Sequence, residues 1–145
     1  MRRIFNVNLN QGVMNFALLL LRIGIGCFML VHGLPKLQTL VAGGTITFAD
    51  PLGAGVIPSL IMAVFAEVFC SILLILGFAT RLAVIPLMIT MLVAIFIIHD
   101  LDGFQKQELP SHFLLVYFFL LLAGSGKYSV DYFVNKRINR RYRRR

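Results

Sequence analysis

The chain predicts an all-α fold: a four-helix transmembrane bundle with a long first outer loop and a short amphipathic basic helix at its C-terminal end. Three observations predict it. Hydrophobic residues make up 59% of the 145 and charged ones only 14%, with a mean hydropathy of +0.85, far outside soluble globular composition. Four apolar runs, roughly 13–34, 56–79, 82–99 and 111–126, each lie close to the ~20 residues a helix needs to cross the hydrocarbon core. The polar connections between them differ in charge from one side to the other, as membrane topology requires. By length the chain is a single membrane domain, 1–145.

The first run, VMNFALLLLRIGIGCFMLVHGLPKL, carries Arg22 inside it. A lone arginine near mid-helix costs about 2.5 to 3.5 kcal/mol on insertion scales, so it is expected to face protein or water and to have a partner. MRRIF imitates the basic start of a signal peptide, but the run is long, holds Arg22 and lacks a small-x-small cleavage site, so it reads as an uncleaved helix. At 100° per residue Arg22, Gly26, Met29, Gly33 and Lys36 share one face, with His32 on its margin.

The connection from Pro35 to about Gly55 carries GG and DPLGAG turn signals around TITF, and is expected to lie over the mouth of the bundle as a short re-entrant or interfacial piece. The second run holds Glu67, the only other ionisable residue at mid-depth, on a stripe with Leu60, Ala63, Val64, Cys70, Ser71 and Leu74. Counted from the helix ends, Arg22 and Glu67 have similar depths. The sequence therefore predicts an Arg22–Glu67 pair between antiparallel neighbours. Side chains lean toward their helix N-terminus, which widens the gap and leaves room for a bridging water. Such a pair either lines a functional site or only fixes register among helices.

The third run carries Pro86 near its start, and the acidic connection HDLDGFQKQELP leads to the fourth. After Gly126, Val130, Phe133, Val134 and Ile138 recur at helical spacing with basic residues between them, the pattern of a helix on a membrane surface. Seven of the fourteen basic residues fall in the last ten positions: Lys136, Arg137, Arg140, Arg141, Arg143, Arg144 and Arg145. Directly after an apolar segment, this tail and the net charge of +8 point to anionic lipid headgroups and not to nucleic acid. Arg2, Arg3, Arg81, Lys127 and the tail share one side, against Lys36 and Lys106 on the other, so both termini are expected in the cytoplasm.

The outer side collects a polar cluster of His99, Asp100, Glu108 and His112, with His32 near the same depth. Three histidines from three helices can hold a metal or haem, but no HxxxH or CxxC spacing occurs, so interfacial polar residues are the preferred reading and no metal is expected. Cys27 and Cys70 lie in apolar runs and read as core packing. No internal repeat supports an inverted-repeat transporter.

Three segments carry a family resemblance: RIGIGCFMLVHGLPKL, then AEVFCSILLILGFATRLAVIPLMITMLVAIFIIH, then FFLLLAGSGKYSVDYF. They resemble the DoxX family of small four-helix bacterial membrane proteins from about Leu20 to Asp131. The telling residues are Arg22 to Lys36, then Glu67 with Gly77, Thr80 and Arg81, then Gly124, Gly126, Tyr128, Ser129 and Asp131. The resemblance implies a multi-pass protein of the bacterial inner membrane, similar to the small subunit of an archaeal thiosulfate:quinone oxidoreductase, and an accessory role in quinone or thiol redox chemistry beside a redox protein subunit. By that likeness Arg22, Glu67, His32 and Lys36 line a polar pocket suited to a quinone headgroup. The stretch after Glu108, LPSH, departs from relatives that run from an acidic residue straight into the last helix. No cofactor is evident from the residues themselves. A non-catalytic scaffold, alone or as a homo-oligomer, and a proton-coupled small-solute carrier are the competing functions.

Overall fold

The structure, a computed structural model, describes residues 10–142, with side chains to residue 140. The described residues form five helices and no strand. Helix α1 is Gln11–Ala42, α2 is Val56–Leu76, α3 is Thr80–Ile98, α4 is Phe104–Ala123 and α5 is Val130–Tyr142. Helices α1, α2 and α3 are long and apolar enough to cross a membrane. Helix α4 has 20 residues, but Lys106, Gln107, Glu108, Ser111 and His112 make its first turns polar, and its continuous apolar stretch starts at Phe113.

Helix α1 starts where Asn10 accepts the Gly12 and Val13 amides, at 2.9 and 3.4 Å, satisfying donors that a first turn leaves free. It does not end before Pro35, as the apolar run suggested, but continues to Ala42. Proline removes the N–H that the Val31 carbonyl would accept, and one turn on Thr39 Oγ donates to the Pro35 carbonyl at 3.0 Å, a local bond within the continuing helix. At 32 residues α1 is longer than a membrane core requires, since about 20 suffice. Consequently Lys36 sits inside a helix and not in a loop.

Helix α2 is α-helical over Val56–Val64, π-helical over Phe65–Cys70 and α-helical again over Ser71–Leu76. Helix α3 likewise turns π-helical over Ala94–Ile98. A π turn carries an extra residue and rotates the helix beyond it, and such turns gather at functional sites. The outer connection spans only 43–55, because α1 takes its first residues. It is irregular, with no re-entrant helix, and Asp50 ties it to α2 by accepting from the Gly55 amide at 2.8 Å and the Ser59 hydroxyl at 2.7 Å. Ile46 and Phe48 pack on the cluster of Leu60, Val64 and Val68, so the loop covers that end of the helices as expected.

Helices α1 to α4 pack in order around one core, with α4 returning to α1. Leu18, Met29, Cys70, Leu74, Val84, Leu87, Tyr117 and Leu120 fill it. Phe28, Val31, Leu82, Phe96, Leu115 and Phe118 are exposed on the outside, as a lipid-facing surface requires. Helices α1 and α2 cross closely at Gly26 and Gly33: a Cβ at Gly33 would lie 3.0 Å from the Glu67 Cβ, and one at Gly26 would lie 2.6 Å from Ile75. Small residues at this spacing let two backbones approach.

Candidate functional site

The predicted Arg22–Glu67 pair does not form. Glu67 Oε1 instead pairs with the Lys36 ammonium, and its side chain is 3% exposed against 31% for Lys36. The side-chain lean explains the outcome. Lys36 leans down α1 toward its N-terminus and Glu67 leans up α2 toward its own, so the two converge. Arg22, about 21 Å below Lys36 at 1.5 Å per residue, leans away from both.

Arg22 is fully buried, and its Nη2 donates to the Tyr128 carbonyl at 2.5 Å. It belongs to a structural latch at the basic end of the helices. There Gly77 ends α2 with φ +68°, and a Cβ on it would lie 1.9 Å from Arg22 Nη1. Ala79, with φ +48°, takes a left-handed conformation that is rare without glycine. Asp131 holds that turn: its carboxylate accepts from the Ala79 amide at 2.7 Å and the Thr80 amide at 3.1 Å, while its own amide donates to the Gly77 carbonyl at 3.0 Å. The Lys127 amide donates to Asn15 at 2.9 Å, and Arg81 reaches the Leu122 carbonyl near the end of α4 at 3.1 Å. The closing segment thus ties α1, α2 and α3 together. Arg22 Nε and Nη1, Ser71 Oγ and Thr80 Oγ1 are buried there without hydrogen-bond partners.

Toward the opposite end the helices and the loop line an open-sided cavity of about 690 Å³. Its wall combines His32 and Lys36 from α1, Glu67 from α2, Thr90 from α3, Phe113 from α4 and Phe48 from the loop, and Arg22 is not part of it. Glu67 Oε2 is buried with no partner, the one free hydrogen-bonding atom of the ion pair's carboxylate. The Lys36 ammonium also lies 5.8 Å from the centre of the Phe48 ring, within cation–π range. His32 meets the Phe113 ring edge-on at 5.9 Å. Three of the four residues expected in the pocket are therefore together, and the fourth serves the latch.

Of the polar cluster expected at the mouth, His99 alone lines the cavity. It pairs through Nδ1 with Asp102 at 2.8 Å, which Lys106 also approaches at 3.3 Å. Those hydrogen bonds hold the Asp102 carboxyl below the usual range, as Ser59 and the Gly55 amide do for Asp50. Asp100 and Glu108 are exposed, and the exposed His112 ring lies 2.9 Å from the Glu108 carbonyl on its own helix. Cys27 is exposed and Cys70 buried, both as free thiols. On α5, Lys136, Arg137 and Arg140 are exposed beside Phe133, Val134 and Ile138. The Arg141 side chain and Arg2, Arg3, Arg143, Arg144 and Arg145 lie outside the described residues.

Sequence reasoning placed Lys36 on the right face of α1 but took Pro35 as the helix end. It missed Phe48, Thr90 and Phe113 as cavity wall and gave Asn15 no role. The small residues at positions 26 and 33 were the available signal for a close crossing beside Glu67.

Three apolar helices of spanning length, with no strand among the described residues, fit an integral membrane protein of the all-helical class. The DoxX family model matches residues 17–100, more than half of the chain, and the chain belongs to the DoxX family. The match covers α1, α2 and α3 and contains Arg22, Lys36 and Glu67. No curated protein and no solved structure matches the chain significantly.

Proposed function

We propose that this protein is an accessory, redox-associated subunit of the bacterial plasma membrane that receives a quinone headgroup in its cavity. The observation that carries this reading is the Lys36–Glu67 pair on a mostly apolar wall, with Glu67 Oε2 lacking any partner. A buried acceptor without a donor costs about 1 to 3 kcal/mol, which a ligand hydroxyl recovers. The residues suit both oxidation states: Lys36 donates to a quinone carbonyl, and Glu67 accepts from a quinol hydroxyl. Among the described residues no group of metal ligands occurs, and in this reading a redox partner subunit supplies the electrons.

In this reading α4 is the fourth span, both termini face the cytoplasm, and α5 lies on the anionic inner leaflet through Lys136, Arg137 and Arg140. The test is the thermal stability of the detergent-purified protein with a short-chain quinone. Saturable protection in the wild type that Lys36→Met removes for the quinone, and Glu67→Gln for the same compound kept reduced as the quinol, supports the reading; neither bound quinone nor protection counts against it. The exposed basic face of α5 supports a second reading, a scaffold that docks on anionic lipid or a partner. Loss of a cellular phenotype on deleting residues 130–145, with Glu67→Gln silent, favours that alternative over the first.

A further inference from the structure

The way into the cavity is a separate question from what binds there, and the packing of α2 and α3 bears on it. Phe65–Leu76 of α2 packs closely on the Thr80–Val93 part of α3, whereas the turns of α2 before Phe65 make few or no close backbone approaches to α3, and residues of both helices line the cavity there. Pro86 and the π turn at Ala94–Ile98 both lie in α3 beside this gap, and prolines and π turns are recognised causes of helix bending. The residues flanking it are apolar, and they are at once cavity lining and outer surface: Ile61, Phe65, Ile89 and Ile98 are 40 to 53% exposed. On the loop side the cavity is covered, with Phe48, Pro51 and Leu52 over it and Asp50 fastening that loop to Ser59. Glu67 lines the same cavity; its side chain is 3% exposed and its Oε2 is itself buried, with no hydrogen-bond partner.

From these features we infer that the cavity is filled sideways from the bilayer, between the outer halves of α2 and α3, by a single-chain amphiphile whose hydroxyl donates to Glu67 Oε2 while its apolar chain lies in the gap. This rests on the proposed quinone reading only for the use of the same cavity. It adds the route, the chain and the need for a donor on the headgroup. The chemistry selects this occupant. Isoleucine and phenylalanine flanks are compatible with an alkyl or isoprenoid chain and offer nothing to water, whereas the wall behind them presents one acceptor without a donor.

The chain contains no tryptophan, so single-tryptophan variants report without background. Phe113→Trp places the reporter on the cavity wall, and Phe48→Trp places a second one in the covering loop should the first fail to fold. Phe96→Trp, on the exposed face of α3, is the lipid control. The probe is a dodecanol brominated beside its hydroxyl, added to protein in unbrominated phosphatidylcholine vesicles, with the matching bromododecane as the partner lacking a hydroxyl.

Quenching of the cavity reporter is expected to saturate with the bromoalcohol, while the Phe96→Trp control is quenched in simple proportion to its content. Loss of one hydrogen bond to a charged group corresponds to about tenfold in affinity. That weakening is expected for bromododecane against the bromoalcohol and again for Glu67→Gln. Ala94→Phe, which narrows the gap, is expected to slow the onset of quenching.

Non-saturating quenching of the cavity reporter overturns the inference, as does equal affinity for alcohol and alkane. Quenching by aqueous iodide but not by the bromoalcohol shows a water-filled mouth instead. Quenching that appears only when protein copies are diluted apart in the bilayer shows a second chain in the gap. Protection by a short-chain quinone, measured in parallel, separates the two proposals: if it persists while lateral quenching fails, only this inference falls, and if both fail the quinone reading falls with it.

Discussion

The ion pair in the cavity wall makes an asymmetric prediction. Lys36→Met removes the cation from a Glu67 side chain that is 3% exposed. Stripping one partner from a buried pair costs about 3 to 5 kcal/mol, because the remaining charge has no compensation. Glu67→Gln removes the anion from a lysine that is 31% exposed. That lysine can turn its ammonium toward water along a flexible stem, so the expected cost is only about 1 kcal/mol. The double variant should lie near the Glu67→Gln value, which gives a coupling of about 3 to 5 kcal/mol, the size of the Lys36→Met cost. The assay is reversible unfolding in dodecyl maltoside micelles titrated with dodecyl sulfate, followed by far-ultraviolet circular dichroism. Arg22→Met combined with Glu67→Gln is the control, because Arg22 contacts the Tyr128 carbonyl and not Glu67. Coupling below about 0.5 kcal/mol between Lys36 and Glu67 would refute the pairing, equal costs for the two single variants would refute the asymmetry, and coupling of Glu67 to Arg22 would refute the latch.

Three further outcomes are expected. Gly77→Ala should destabilise the fold by more than the ~1–2 kcal/mol of a left-handed alanine, since its Cβ would sit 1.9 Å from Arg22 Nη1 and 2.7 Å from the Ser129 Cβ; a smaller loss in the same unfolding assay would show that Arg22 yields freely. Asp131→Ala should cost about 1 to 2 kcal/mol, as helix caps do, because two amides at the start of α3 lose their acceptor, and exchange protection at Thr80 should drop with it. The loop held by Asp50 should respond to acid. Hydrogen bonds from Ser59 and the Gly55 amide hold this carboxyl below the usual range. Its contribution is therefore complete above the ordinary carboxylate range and is lost as the pH falls through the depressed value. Hydrogen exchange at Ala54 and Gly55 should accelerate over that interval in the wild type, and Asp50→Asn should abolish the pH dependence.

Composition and periodicity were enough for the membrane class, for three of the four expected helices of spanning length and for the face of α1 that turns inward, where Arg22, Gly26, Met29 and Gly33 are all buried. They also placed the amphipathic α5 and the loop over the helix ends. These features are local: a stretch too apolar for water, or a stripe at helical spacing, has the same meaning wherever the chain puts it. Which charge meets which was not local. It depended on α1 running through Pro35 to Ala42, on a π turn at Glu67, and on the opposite lean of side chains from antiparallel helices. None of these leaves a mark in spacing, because a π turn uses the same residues as an α turn and a proline in a long helix resembles one that ends it. The sequence by itself determined that a charge was buried in α1 and another in α2. Only the tertiary structure decided that Arg22 closes the basic end while Glu67 takes Lys36 and faces the cavity, because that choice is made by how far each side chain can reach once the helices have packed.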